Sequence, residues 1–272
     1  MWKQLNIKEI QDIQYEMLCV FDEYCKKHKL KYYLSRGSLL GAVRHQDFIP
    51  WDDDLDVEMP RSEYDRFLQI ETTDPIKEGM LLCALERENW DYPFTKLFKK
   101  DTKIVMENTN ESGGQYVWVD VFPLDNIPED DKKAQAMFNK NLFLAKLHGG
   151  TKTRLSNEKK PVKKVGKFFA SNILKIYGGK RIAKQMIKNA RRYDGQNTKY
   201  EGCVVWAPIR TKRLKEDGNI EVTKTFRGRE FPVSPHWELY LQTMYGNYME
   251  LPPEEERRTH KYAAWRWEQS EN

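Results

Sequence analysis

Cysteine is scarce and scattered. The 272-residue chain has four, Cys19, Cys25, Cys83 and Cys203, with no Cys-x-x-Cys pair. That leaves no support for a disulfide framework, argues against a structural zinc site, and points to reduced thiols. Long apolar runs are missing too, for no stretch approaches the roughly 18 residues of a membrane span. The opening Met1-Trp2-Lys3-Gln4-Leu5-Asn6 does not read as a signal peptide, because a charged amphipathic helix follows it directly. The expectation is a cytosolic protein. No internal repeat or low-complexity linker divides the chain, so one compact unit with a helical addition is expected. Acid is nearly absent from one segment: between Thr151 and Arg192 there are fourteen Lys/Arg and a single acid, Glu158. The whole chain carries only +5, so the remainder is acidic overall, and the basic block calls for an anionic partner such as a membrane surface or a nucleic acid. It lacks the regularly interleaved aromatics of a single-strand binder, which ranks a lipid surface above nucleic acid.

What the chain does have is a crowd of carboxylates. With 39% apolar and 32% charged residues it is globular. Four aspartates fall within five residues in Ile49-Pro50-Trp51-Asp52-Asp53-Asp54-Leu55-Asp56-Val57, just behind the turn Gly37-Ser38. Like charges this close repel unless a cation sits among them. On a strand, residues two apart share a face, so Asp54 and Asp56 aim at one spot while Leu55 and Val57 enter the core. Paired carboxylates of this kind suit Mg²⁺ or Mn²⁺, which take oxygen ligands and are shared with substrate phosphates.

The rest of the pattern places that run. Asn6 and Glu9 form a capping arrangement for a first helix with Ile7, Ile10, Ile13, Met17, Leu18, Phe21 and Tyr24 at helical spacing, ending near Lys29. Tyr32-Tyr33-Leu34 reads as a strand that delivers Gly37-Ser38 to a helix over 38–44. A helix N-terminus behind a small-residue turn is an anion site, although most Gly-Ser pairs are ordinary turns. Further helices are predicted at Arg61–Ile70, Glu129–His148 and Pro235–Tyr245. Strands are predicted at Met80–Leu85, Thr95–Phe98, Ile104–Met106 and Tyr116–Phe122. β structure is also expected over Gly202–Ala207 and in a hairpin of 221–225 and 229–233, before a Pro252-Pro253 turn and a charged tail. Asp120 is the lone charge in Val117–Phe122. It either caps a strand end or is a third carboxylate facing Asp54 and Asp56, since a buried unpaired charge is very costly. In the basic block, Val162, Val165, Phe169, Ile173 and Ile176 share a helical face, with Lys163, Lys164, Lys167 and Lys175 largely off it. Gly178-Gly179 breaks the pattern before a second basic helix over 181–193. The apolar stripe either packs on the body or docks on anionic lipid.

Three blocks of sequence carry a resemblance. A Gly-Ser turn, an Asp-x-Asp on the next strand and an aspartate on a later strand resemble the nucleotidyltransferase fold. Gly37-Ser38-Leu39-Leu40-Gly41-Ala42-Val43-Arg44-His45, with Phe48-Ile49-Pro50-Trp51-Asp52-Asp53-Asp54-Leu55-Asp56, resembles the signature of the LicD family, to which fukutin-related proteins are similar. Val119-Asp120-Val121-Phe122-Pro123-Leu124-Asp125 resembles its second block. Tyr245-Gly246-Asn247-Tyr248-Met249, Leu251-Pro252-Pro253 and His260 resemble its C-terminal block.

The resemblance implies an α+β fold: a mixed sheet flanked by helices, with residues 1–150 as catalytic core, 151–193 as a basic helical insertion and 194–272 completing the same domain. It implies transfer of a phospho-alcohol, phosphocholine from CDP-choline above all, onto a hydroxyl of a teichoic acid or lipopolysaccharide precursor. Asp54, Asp56 and Asp120 would hold Mg²⁺ or Mn²⁺ and carry the catalysis, with Gly37 and Ser38 at the donor phosphates and Asp52 in the acidic signature. Arg44 and Lys96 are candidates for the diphosphate. An aromatic box for choline would draw on Trp51, Trp90, Tyr92, Trp118 and Trp206. Partners would be a CDP-alcohol, a glycan or lipid-linked glycan, and an anionic membrane reached through 151–192 at its inner face; no nucleic acid is expected. Two rivals remain at this point. One is a nucleotidyltransferase that releases pyrophosphate. The other is a binding module whose aspartates hold a structural cation.

Overall fold

Asn6 caps the first helix from both sides. Its Oδ1 accepts the Glu9 N–H at 3.0 Å, and the Glu9 carboxylate accepts the Asn6 N–H at 2.8 Å. The structure, a computed structural model, describes residues 1–106, 116–152, 171–215, 221–257, 259–260 and 262–268. The helices are α1 (Ile7–His28), α2 (Arg36–His45), α3 (Arg61–Ile70), α4 (Asp131–Lys152), α5 (Gly179–Ala190) and α6 (Trp237–Tyr245); residues 171–177 are also helical. The strands are β1 (Trp2–Leu5), β2 (Tyr33–Leu34), β3 (Asp56–Pro60), β4 (Met80–Cys83), β5 (Thr95–Lys99), β6 (Thr102–Met106), β7 (Trp118–Ile127), β8 (Tyr200–Gly202), β9 (Arg213–Leu214), β10 (Val222–Phe226), β11 (Arg229–Val233) and β12 (Tyr262–Trp267). This is an α+β fold.

Among the described residues the main sheet runs β2-β3-β7-β5-β4, with β8 and β9 extending it from the far end of β7. β3 and β7 are parallel and the other pairs antiparallel. Leu55, Val57, Val119, Val121 and Leu97 are fully buried against α1 and α3, in a cluster with Phe21 and Phe67. A second cluster joins Phe94, Phe122 and Leu124 to Ala134, Met137 and Phe138 of α4. β7 is therefore covered on both faces, which explains its near-continuous apolar run.

Several elements differ from expectation, each for a tertiary reason. β7 continues through Pro123 to Ile127. Its pairing with β5 ends at Val121 and that with β8 begins at Asp125, so on that edge the proline's missing N–H falls in the gap between partners, while β3 pairs Met59 with Pro123 on the other edge. The charged tail is strand β12, which lies between β1 and β6 in a three-stranded antiparallel sheet. β1 and β12 each require a partner some 260 residues away in the chain, and neither alternates cleanly. Over Gly202–Ala207, only Gly202 belongs to a strand; Val204–Trp206 is a turn. Of the first basic helix, Val162, Val165 and Phe169 lie outside the described residues.

Candidate active site

Two hydrogen bonds fix the start of β3 to the start of α2. The Asp56 N–H donates to Ser38 Oγ at 2.8 Å, and the Ser35 N–H donates to the Asp56 carbonyl at 3.1 Å. Ser38 is buried, and its hydroxyl oxygen accepts that contact. Gly37 sits in the first turn of α2 against Asp52: a Cβ at residue 37 would lie 2.3 Å from Asp52 Oδ2. The glycine thus lets a carboxylate approach the helix N-terminus closely.

β7 then completes the site through register. Asp120 stands opposite Asp56 on β3 and opposite Lys96 on β5. Asp54, Asp56 and Asp120 each bring a carboxylate oxygen to within 4.8 Å of the others. Of the alternatives for Asp120, the structure gives the third carboxylate. Lys96 Nζ lies 3.0 and 3.2 Å from its two oxygens, and the Trp118 indole N–H donates to Oδ2 at 3.0 Å. The Lys96 ammonium also sits 4.0 Å above the Trp118 ring. Burial, then the neighbouring Asp54, push the Asp56 carboxyl well above the usual carboxylate range. Burial likewise raises Asp120, with Lys96 opposing. Asp52 is pushed up to about 9 by burial and by Asp54.

This donor set fits a divalent cation. It is all oxygen and crowded with like charge, and Asp120 Oδ1 is buried without a well-formed hydrogen bond even though Lys96 is near.

The other sequence candidates separate. Arg44 is not brought to the carboxylates. Its guanidinium donates to the Tyr248 and Glu250 carbonyls at 2.9 and 3.0 Å and anchors the C-terminal loop. A cation whose field does reach Asp56 is Arg36, which sequence reasoning passed over. Arg36 has a left-handed backbone, φ 48°, uncommon for a non-glycine. Its guanidinium lies 3.7 Å over the Phe122 ring and donates to Cys203 Sγ at 3.2 Å. Burial opposes its charge, but Cys203, Asp56 and Glu58 outweigh that. Trp51 is half-buried and receives the Arg257 guanidinium at 4.8 Å. Trp90, Tyr92 and Trp206 belong to one aromatic group, with Tyr92 5.1 Å from Trp90 and 5.5 Å from Trp206. Phe94 extends this group to within two residues of Lys96.

Three further groups shape the site. Gln11 and Gln14, buried on α1, donate to the carbonyls of Asp52 and Asp53 at 2.8 and 3.0 Å and pin the aspartate loop. Sequence reasoning passed over both, although two glutamines on a largely apolar helix face are a signal that could have found them. Asp53 accepts from the His260 N–H at 2.9 Å and pairs with its Nδ1 at 2.7 Å, while His260 Nε2 lies 3.9 Å from Asp54. The hydrogen bond to Asp53 pushes His260 up to about 9. Tyr245 is raised by burial and then by Asp56, which places its phenol in the field of the cluster.

Residues 29–148 match the family described as LicD/FKTN/FKRP, nucleotidyltransferase domain. Over 265 residues, 95% of this chain and 97% of the relative, the sequence is 30% identical to the lipopolysaccharide cholinephosphotransferase LicD of Haemophilus influenzae. It is 41% identical over 117 residues to an uncharacterized protein of Rickettsia prowazekii, covering 42% of this chain and 40% of that protein. It is 43% identical over 69 residues to one of Rickettsia typhi, covering 25% of this chain and 22% of that protein.

Proposed function

The chain belongs to the LicD family, and from that premise we propose that it transfers a phospho-alcohol, phosphocholine from CDP-choline above all, onto a hydroxyl of a lipopolysaccharide- or teichoic-acid-type glycan precursor, releasing CMP. The observation that carries the reading is the convergence of Asp54, Asp56 and Asp120 within 4.8 Å. In this reading Asp54, Asp56 and Asp120 hold Mg²⁺ or Mn²⁺, which when bound neutralises charge on the donor diphosphate.

The chain's own groups supply the rest. The acceptor oxygen forms a bond to the donor phosphorus, the bond from phosphorus to the CMP oxygen breaks, and CMP leaves with the electron pair. The acceptor proton passes to Asp120, the carboxylate that β7 sets opposite Asp56 and beside Lys96. Lys96, beside Asp120, and Arg36, in the field of Asp56, place positive charge where phosphate oxygens gather it. Ser38 and Gly37 keep β3 and Asp52 at the α2 N-terminus. Tyr92 and Trp206 are the aromatics of this reading for a choline ammonium. Residues 151–193 form an addition to one domain, which works at the cytoplasmic face of an anionic membrane. Among the described residues no helix is long and apolar enough to cross one.

The test is CMP release with Mg²⁺ from CDP-choline, CDP-ribitol, CDP-glycerol and CDP-ethanolamine, with a glycan acceptor, in wild type and in Asp54→Asn/Asp56→Asn. Metal-dependent CMP from one donor, lost in the double variant, is the expected result. Pyrophosphate from CTP in place of CMP would replace this reading with nucleotidyl transfer.

A further inference from the structure

The second basic helix does not offer its apolar stripe to a membrane. Ile182, Ala183, Met186 and Ala190 of α5 are buried, with Ile182 and Met186 packed on Leu144 of α4. The face turned outward is different. Arg181, Gln185, Lys188 and Arg192 recur at i, i+4, i+7 and i+11, and all four are exposed. Where this stripe meets α4 there is a groove of about 490 Å³ lined by Lys140, Gln185, Lys188, Asn189 and Arg192.

The charges around that groove are unbalanced in a selective way. On one flank of α5, Lys184 pairs with Glu88 at 2.7 Å and Lys180 with the same carboxylate at 3.6 Å. Arg191 pairs with Asp65 and Asp194. Lys140, Lys188 and Arg192 have no carboxylate partner among the described residues. Three cations held around one groove repel one another, and an anion in the groove removes that cost.

The rim is apolar. Phe143, 60% exposed, lies one turn along α4 from Lys140. Phe143, Leu147 and Gly150 share a face of α4, and Leu174 covers Gly150 so closely that a Cβ there would lie 2.6 Å from it. The helical residues 171–177 therefore lie on the Phe143 side of the lobe. They expose Ile173 and Ile176, 67% and 83% accessible. Tyr177 joins them to the stripe by accepting from the Gln185 amide.

We propose that this face is a docking surface for an anionic bilayer, with the Lys140–Lys188–Arg192 groove holding the phosphodiester of a phospholipid headgroup and Phe143, Ile173 and Ile176 entering the interface. Cations beside aromatic and aliphatic side chains are the composition that interfacial binding requires. The proposal deepens the membrane placement above. It stands apart from the transfer reaction, since none of these residues belongs to the carboxylate site.

The experiment is flotation of the full-length protein with vesicles of phosphatidylcholine alone and with 30% phosphatidylglycerol, in ~0.1 M NaCl. Two variants accompany wild type: Lys140→Ala/Lys188→Ala/Arg192→Ala and Phe143→Ser/Ile176→Ser. Wild type floats only with the anionic vesicles. The triple variant loses about a hundredfold in partitioning, the order expected for three cations near a charged surface, and the double variant also weakens. CMP release with a water-soluble acceptor stays at the wild-type level in the triple variant, so failure to float and failure to catalyse are read separately. No wild-type flotation, or equal flotation of the triple variant, overturns the proposal. So does release of the wild type by ~10 mM inorganic phosphate, which would assign the groove to a free anion. Binding of a labelled oligonucleotide that the triple variant loses, without vesicle binding, assigns the face to nucleic acid instead.

Discussion

Neutralising one member of the carboxylate cluster should stabilise the metal-free protein, which is the reverse of what loss of a buried polar group ordinarily does. Asp56 is 7% exposed, and no hydrogen bond reaches its carboxylate among the described residues. Two unit charges 4.8 Å apart repel by about 3.5 kcal/mol at an effective dielectric of 20. Lys96 and Arg36 pull the other way, so about 1 kcal/mol of net strain is a reasonable expectation. The sign follows from linkage. The folded carboxyl is raised above its unfolded value, so its contribution is favourable below the unfolded pKa and is lost as pH rises through the folded one. At pH 7.5 the cost is present, and Asp56→Asn removes it. In EDTA the variant should melt about 2–4 °C above wild type. Adding Mg²⁺ reverses the order. An ion at ten times its dissociation constant adds about 1.4 kcal/mol to wild type, and the variant gains little. Scanning calorimetry in EDTA and across a Mg²⁺ series reads both. A variant clearly less stable than wild type in EDTA, or one that keeps the full Mg²⁺ shift, would refute the view that this cluster is a cation site held under repulsion.

Other consequences can be checked in the same way. Arg213 pairs with Glu58 at 3.0 Å and Glu201 at 3.2 Å, all three deeply buried. Arg213→Met should cost about 3–5 kcal/mol in urea denaturation, because it strands two carboxylates. Arg213→Met/Glu58→Gln should cost less than the single change, and additive losses would show that the charges are hydrated. Gly37→Ala should lose about 1–3 kcal/mol by driving a methyl into Asp52, and Gly37→Ala/Asp52→Ala should recover part of it. If the double variant is the worse of the two, the contact is not the cause. His260 is raised to about 9, so the Asp53 clasp stabilises fully below pH ~6.5 and fades as pH rises through about 9. Its ring is half exposed, so His260→Ala in EDTA should cost under about 1 kcal/mol at pH 6 and nothing measurable near pH 10. A difference that does not change with pH would mean the ring acts only by packing.

Local chemistry was enough to determine much of this from the sequence. The Asn6–Glu9 capping box, the Arg61–Ile70 helix and the hairpin of 221–225 and 229–233 depend on neighbours a few residues away, and they stand within a residue of where they are expected. The carboxylate pair Asp54 and Asp56 was legible for the same reason, since strand alternation alone sends Leu55 and Val57 inward. Contacts between distant segments were not legible. That Asp120 faces Asp56 on one side and Lys96 on the other is a property of register. Arg44 reads as a phosphate ligand until a loop 200 residues away takes its guanidinium, and Arg36 gives no signal until the fold sets it on Phe122 and Cys203 in the field of Asp56. The terminal strands give no periodic signal because β1 is completed only by β12, and β12 only by β1 and the distant β6. In the basic block, composition alone fixed the charge. Only the packing of α5 on α4 decided that Ile182 and Met186 turn inward and that Arg181, Lys188 and Arg192 turn out, because an amphipathic pattern specifies two faces without specifying which surface each will meet.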